Sequence, residues 1–298
     1  MNSPISFVVS VLVVSLIACQ NIHPETMTDD KEDVQAVVAN NVISGVEVGE
    51  IKSTCPVDMV LVDGEYCPKV EEKCLYNVDI NGKRMPGKAN DLWSCGEFQY
   101  PTRCLSDKKI HMKFCIDKYE YSTREDKVPQ DWMTWYGAKK VAASLGKRLC
   151  TAKEWTLAAE GPEIHPLPYG DGYHRDSKAC NIDRHFTDFP GVHIDVFQAR
   201  RPDDEMSQRL RAFLVPSDSM PNCKSDYGVY MMAGNIDELV NNEGGVETCP
   251  NGGRCGNYVS GLKGGHFWHV RQAARPITSA HGPTFGWYET GVRYCLTP

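Results

Sequence analysis

The sequence predicts an exported α+β domain that is poor in long regular elements and cross-linked by disulfides. Three observations predict it. An apolar run opens the chain. Cysteines recur along almost its whole length. Short β-rich segments flank two capped helical segments.

The apolar run is "ISFVVSVLVVSLI", Ile5 to Ile17, at the very N-terminus. It is short for a membrane span and reads as the hydrophobic region of a signal peptide. It ends in "LIAC", Leu16 to Cys19, which resembles the bacterial lipobox. That resemblance implies residues 1–19 as a signal peptide, with Cys19 lipidated and anchored in the bilayer. Gln20 after the cysteine resembles the outer-membrane sorting pattern, so the expected location is the bacterial envelope, facing periplasm or cell surface. Residues 20–52 are polar and acidic and lack the apolar density to fold alone, which suits a flexible tether. The domain is expected over residues 53–298.

The chain has 13 cysteines, so removing Cys19 leaves an even set of 12. These are Cys55, Cys67, Cys74, Cys95, Cys104, Cys115, Cys150, Cys180, Cys223, Cys249, Cys255 and Cys295. In an exported chain such a set reads as a disulfide framework. A zinc site would want paired CxxC spacings, and the sequence has none. The net charge of −7 comes with no basic block, which argues against a nucleic-acid partner.

"DMVLVDGEYC" predicts a strand followed by a turn at Asp63-Gly64, and "HMKFCIDKYEYST", His111 to Thr123, another strand. Between them, about 69–109, a Cys-rich insertion is expected to be irregular. Thr134 caps a helix running to Leu145, with Trp135, Ala138, Ala142 and Leu145 at helical spacing and Gly146 as its stop. Thr151 and Glu154 form a capping-box pattern for a second helix that Gly161 and Pro162 end. From Gly170 to Cys223 the chain reads as a long loop, with a short helix around Asp204 to Leu214. "YGVYMMAGNIDELV" and "VSGLKGGHFWHV" are short apolar segments broken by glycines, and "YETGVRYCL" looks like a final strand.

Six of these pieces, in this order, resemble the sulfatase-modifying-factor family, which includes the formylglycine-generating enzymes. They are "MVLVDG", "CIDKYEYS", "TWYGAKKVAASLGKRLCTAKEWTLAAEG", "YGVYMMAGNIDELV", "LKGGHFW" and "GVRYC", spanning Met59 to Cys295. The resemblance implies a single compact α+β domain related to C-type lectins.

It also implies where chemistry would sit. The oxidases of the family bind copper through a Cys-x4-Cys pair after the Gly-Gly; here those places fall on His269 and Ala274, or are deleted. Copper(I) prefers thiolate, so a redox metal is not expected at the family copper site. His266, His269 and Arg275 are the candidate catalytic residues. If the segment is a strand, His266 and His269 point to opposite faces, and a further metal ligand would come from His281 or Glu289. Arg271, Arg275 and Arg293 suit either an acidic ligand or structural ion pairs.

The resemblance further implies calcium at Asn181, Ile182, Asp195 and Phe197, an oxygen set that suits a hard cation. A second calcium site would use Gly234, Ile236 and Glu238, but its leading Asn is Met231 here. Paired family cysteines fall on Ala142 and Ala159, which leaves Cys150 as the candidate partner of Cys295.

Three functions are compatible with these readings. One is a thiol-free relative that binds a protein, glycan or small molecule. Another is a metal-dependent oxidase or oxygenase, with non-heme iron or copper on non-cysteine ligands. The last is an envelope protein held together by disulfides and calcium.

Overall fold

A computed structural model describes residues 55–79, 82–86, 91–185, 194–250, 252–268 and 271–298. The expected signal peptide with Cys19, the tether 20–52 and His269 lie outside the described residues. Lys52–Pro298 form one compact unit.

Strand β1 is Met59–Tyr66. The Cys-rich insertion carries β2 (Val70–Glu71), β3 (Cys74–Val78), β4 (Arg84–Met85), β5 (Cys95–Phe98) and β6 (Arg103–Cys104). Strand β7 is Ile110–Asp117. Helix α1 (Trp135–Ser144), β8 (Arg148–Leu149) and α2 (Ala152–Glu160) follow. Helix α3 is Glu205–Arg211. The rest is β9 (Asp237–Asn241), β10 (Ser260–Lys263), β11 (Thr290–Gly291) and β12 (Tyr294–Leu296). Among the described residues no helix is long and apolar enough to cross a membrane.

The caps are those expected from the sequence. The Thr134 side chain accepts from the Gly137 amide, and Thr151 and Glu154 close a full capping box. Helix α2 then buries Trp155, Leu157, Ala158 and Ala159 against Phe114 and Ile116 of β7. The main sheet has the order β1-β7-β12-β8, and a smaller one the order β10-β9-β11.

Three expectations are corrected. Asp63-Gly64 is no turn. Both residues lie inside β1, which pairs with β7 from Met59↔Asp117 to Tyr66↔Ile110. An Asp-Gly step makes a hairpin only when the next strand folds straight back, and here the partner comes more than forty residues later. A side chain at Gly64 would run into the Tyr227 hydroxyl, so close packing accounts for the glycine. The insertion is also more regular than expected. It forms two small sheets, β2-β6 and β4-β3-β5, stapled by Cys67–Cys104 and Cys74–Cys95. Its strands are too short for a period-2 pattern to show.

The third correction concerns the C-terminal segment. "YETGVRYCL" is two strands in two sheets. Strand β11 runs parallel to β9, while β12 lies antiparallel to β7 and β8. Arg293 sits at the crossing and is fully buried. It donates to Glu238 through Nε at 2.6 Å and again through a terminal nitrogen. It also donates to the carbonyls of Asp117 and Tyr230 at 3.2 and 2.7 Å. Glu238 further accepts from the Trp155 indole at 2.6 Å.

Stranding one partner of such a pair costs about 3–5 kcal/mol. Arg293→Met should therefore lower the unfolding free energy by that order in chemical denaturation. Arg293→Met/Glu238→Gln should recover part of the loss, because no buried charge is left alone. If single and double variants are equally destabilised, the loss arises from carbonyls and packing and not from the ion pair.

Candidate functional site

The end of β10 and the starts of β9 and β11 converge on one buried polar cluster. Asp237 opens β9, and its amide donates to the Glu289 carbonyl at 2.9 Å. It pairs in register with Thr290, which brings Glu289 alongside. Beyond β10 the chain leaves the sheet through Gly264 and Gly265, both at positive φ. That bend carries His266 back over β9. The Phe267 amide donates to the Asn235 carbonyl at 3.0 Å and the Gly234 amide to the Gly264 carbonyl at 2.9 Å, fixing the return.

Ligand-type atoms of Asp237, His266 and Glu289 all lie within 4.8 Å of one another. His266 Nε2 is 3.1 Å from a Glu289 carboxylate oxygen. The Trp268 amide approaches His266 Nδ1 at 3.4 Å, too long to fix which ring nitrogen holds the proton. Arg271 donates to one oxygen of Asp237, and the other, Oδ1, is buried without a hydrogen-bond partner. Phe267, Trp268 and Tyr288 ring the imidazole. Burial pushes the Asp237 carboxyl up to about 6 against the pull of Arg271 and, more weakly, of the Gly265 amide. Burial, and then the charge of Asp237, push Glu289 up to about 8. The cluster gathers two carboxylates and one imidazole, with a single arginine on one Asp237 oxygen, a donor set that could hold a cation.

Of the sequence candidates, His266 and Glu289 are brought together, and His281 is not: it stacks on Phe285 with ring centroids 4.0 Å apart. The strand argument about His266 does not apply, because β10 ends at Lys263 and His266 lies in the following loop. Asp237 was missed. Its signal was an acidic pair, Asp237-Glu238, inside the apolar run "AGNIDELV", where a buried strand would carry aliphatic residues. Arg271 and Arg293 serve Asp237 and Glu238. His165 and His174 pair with Asp226 and Asp171 in their loops.

Each of the expected calcium residues has contacts of its own. Asn181 donates its amide to the Phe213 carbonyl and to Asn235 Oδ1, and its own carbonyl accepts from the Asn235 amide. Asp195 caps the turn Val196–Gln198, and Phe197 is exposed there. Ile182 is buried. At the second set, Gly234 and Ile236 are buried, and Glu238 belongs to Arg293 and Trp155.

Arg275 sits in a second buried polar group. It chelates Glu160 through two nitrogens and donates to the Cys67 carbonyl at 2.9 Å. Glu72, from the insertion, is 3.9 Å from it, and both Glu72 carboxylate oxygens are buried without hydrogen-bond partners. Lys263 donates to the carbonyls of Ala274 and Arg275 at 2.6 and 3.0 Å, and burial pushes its amine down to about 7.

The model of the sulfatase-modifying factor enzyme 1-like domain matches residues 97–297. No curated protein matches the chain. Among solved structures, CarF is 14% identical, covering 82% of this chain and 99% of its own, with a TM-score of 0.47. PvdO from Pseudomonas aeruginosa is 15% identical over 80% of this chain and 94% of its own, TM-score 0.43. Treponema denticola variable protein 1 is 11% identical over 80% and 95%, also at 0.43.

Glu72 yields a pH prediction. Burial, and then the charge of Glu160, push its carboxyl from 4.5 up to about 7. A carboxyl raised by folding contributes stability at pH below about 4.5, and that contribution is lost as pH climbs through about 7. At about 1.4 kcal/mol per tenfold change in proton affinity, the loss amounts to about 3 kcal/mol. Wild type should therefore lose stability against Glu72→Gln by up to that amount between pH 4.5 and 8. Parallel pH–stability profiles for the two proteins would show that Glu72 ionises freely.

Proposed function

Since this chain belongs to the sulfatase-modifying factor enzyme 1-like domain family, we propose that it is an exported member that does not generate formylglycine and acts by binding a ligand or partner. The observation that carries this reading is the state of the cysteines. Cys55–Cys115, Cys67–Cys104, Cys74–Cys95, Cys150–Cys295, Cys180–Cys223 and Cys249–Cys255 are all disulfides. Every cysteine of the domain is consumed, so no thiolate is free to hold copper(I). Six disulfides also suit an oxidising, extracytoplasmic compartment. Ala274, where the resemblance would put one family thiol unless that segment is deleted, is fully buried and donates its amide to the Pro166 carbonyl.

A groove of about 610 Å³ beside α1 and β8 favours the binding role. Trp135, Ala142, Leu149 and Val259 give it an apolar floor, and Lys139 and Glu247 give it charges of both signs. Its size is within the range of small-molecule sites.

The test is incubation of the oxidised protein with a sulfatase-motif peptide, copper, dioxygen and reductant. The peptide cysteine should remain a thiol by mass spectrometry. Catalytic conversion to the aldehyde would overturn the reading.

The family resemblance also supports a calcium ion at Asn181, Ile182, Asp195 and Phe197. The second set is left out of the proposal, because a cation there would have to displace the Arg293 guanidinium from Glu238. An ion bound only by the native state stabilises it by about 2.7 kcal/mol at a hundredfold excess over its dissociation constant. Chelation should lower the melting temperature, and Asp195→Ala should remove that sensitivity. Identical melting of wild type with and without chelator would refute this site.

A further inference from the structure

We propose that Asp237, His266 and Glu289 form a binding site for one divalent transition-metal ion of the zinc, iron(II) or manganese(II) kind. The site does not rest on the ligand-binding reading: that reading concerns thiols, and none of these donors is one.

Geometry is the first support. The three donors come from separate parts of the chain, yet their ligand atoms lie within 4.8 Å of one another. His266 Nε2 and the Glu289 oxygen, 3.1 Å apart, already have the spacing of two ligands on one ion at about 2.0–2.2 Å from each. Asp237 has to move inward by about an ångström or two for the same bond lengths. The backbone under all three is fixed by the Asp237-to-Glu289 and Phe267-to-Asn235 hydrogen bonds, so little order has to be imposed on binding.

The second support is independent of the clustering. Asp237 is fully buried, yet its Oδ1 has no partner in good hydrogen-bond geometry, the Gly265 amide acting on the carboxyl only weakly. Leaving a buried charged oxygen unmatched is costly, and a cation among the three donors would match it. The other oxygen is held by Arg271, as metal-binding carboxylates are commonly held by a neighbouring donor.

Donor chemistry selects the ion. One imidazole and two carboxylates offer nitrogen and hard oxygen but no thiolate, which disfavours copper(I). Calcium wants six to eight oxygens and gains little from an imidazole. Three protein ligands on a zinc-, iron(II)- or manganese-type ion leave at least one position for water or an oxygen of a bound molecule. The competing reading is a metal-free ion cluster in which Arg271 balances Asp237 and a protonated His266 balances Glu289.

The experiment uses the full mature chain with its disulfides intact, stripped with chelator and dialysed. Titration with zinc or manganese(II) is followed by calorimetry, and with cobalt(II) by its visible absorption bands. The expected result is one ion per chain. His266→Ala and Glu289→Gln should each weaken binding at least about tenfold and alter the cobalt spectrum. Glu289→Gln is nearly isosteric, so it decides the matter if His266→Ala fails to fold. Absence of stoichiometric binding by wild type would overturn the proposal in favour of the metal-free ion cluster. Undiminished affinity in a folded Glu289→Gln variant would overturn it equally, by placing the ion elsewhere. Neither result bears on the sulfatase-peptide assay, so the two proposals fail separately.

Discussion

The buried pair of Arg293 and Glu238 is the constraint on which the rest of the structure depends. Both side chains are essentially without solvent. Two charges in such a place are tolerable only when nearly every donor and acceptor is matched. Arg293 meets that demand by reaching β9, the last carbonyl of β7 and the loop carbonyl of Tyr230. Glu238 meets it by accepting from Trp155 on α2. One guanidinium thus ties both main sheets to the helix packed on them. It can do so because the chain crosses from one sheet to the other at Val292–Arg293.

The same crossing places the candidate metal cluster. Parallel pairing of β11 with β9 sets Glu289 beside Asp237. Asp237 and Glu238 are neighbours, yet one faces Arg271 and the other Arg293. Two adjacent buried carboxylates are kept apart by giving each its own arginine. Alternation along β9 sends them to opposite faces, so one serves the scaffold and the other remains open to the loop that carries His266.

The cysteine-rich segment is joined to the family domain in two ways. Cys55–Cys115 ties the chain ahead of β1 to β7, on either side of the segment. Arg275 reaches back to the Cys67 carbonyl and lies over the Tyr66 ring, 5.3 Å from its centroid. Glu72 enters the same buried group without a full set of partners. The segment therefore covers polar groups of the domain besides hanging from it by disulfides.

The sequence by itself determined the two capped helices and the family. Capping residues act within one turn, so Thr134, Thr151 and Glu154 announced their helices and the helices are there. Motif order did the same for the fold, because each quoted piece is a short contiguous stretch. His266 and Glu289 could be named as ligand types from chemistry alone. What only the tertiary structure decided was which distant residues meet. Asp63-Gly64 looked like a turn because its strand partner lies far along the chain. His266 looked like a strand residue because the Gly264-Gly265 step marks a break without saying whether the chain resumes the sheet or turns out of it. Asp237 was passed over because a carboxylate among apolar residues has no stated purpose until Arg271, His266 and Glu289 stand around it. The physical reason is common to all three. Propensity and capping depend on neighbours in sequence, whereas a buried charge is decided by groups that only folding brings within a few ångströms.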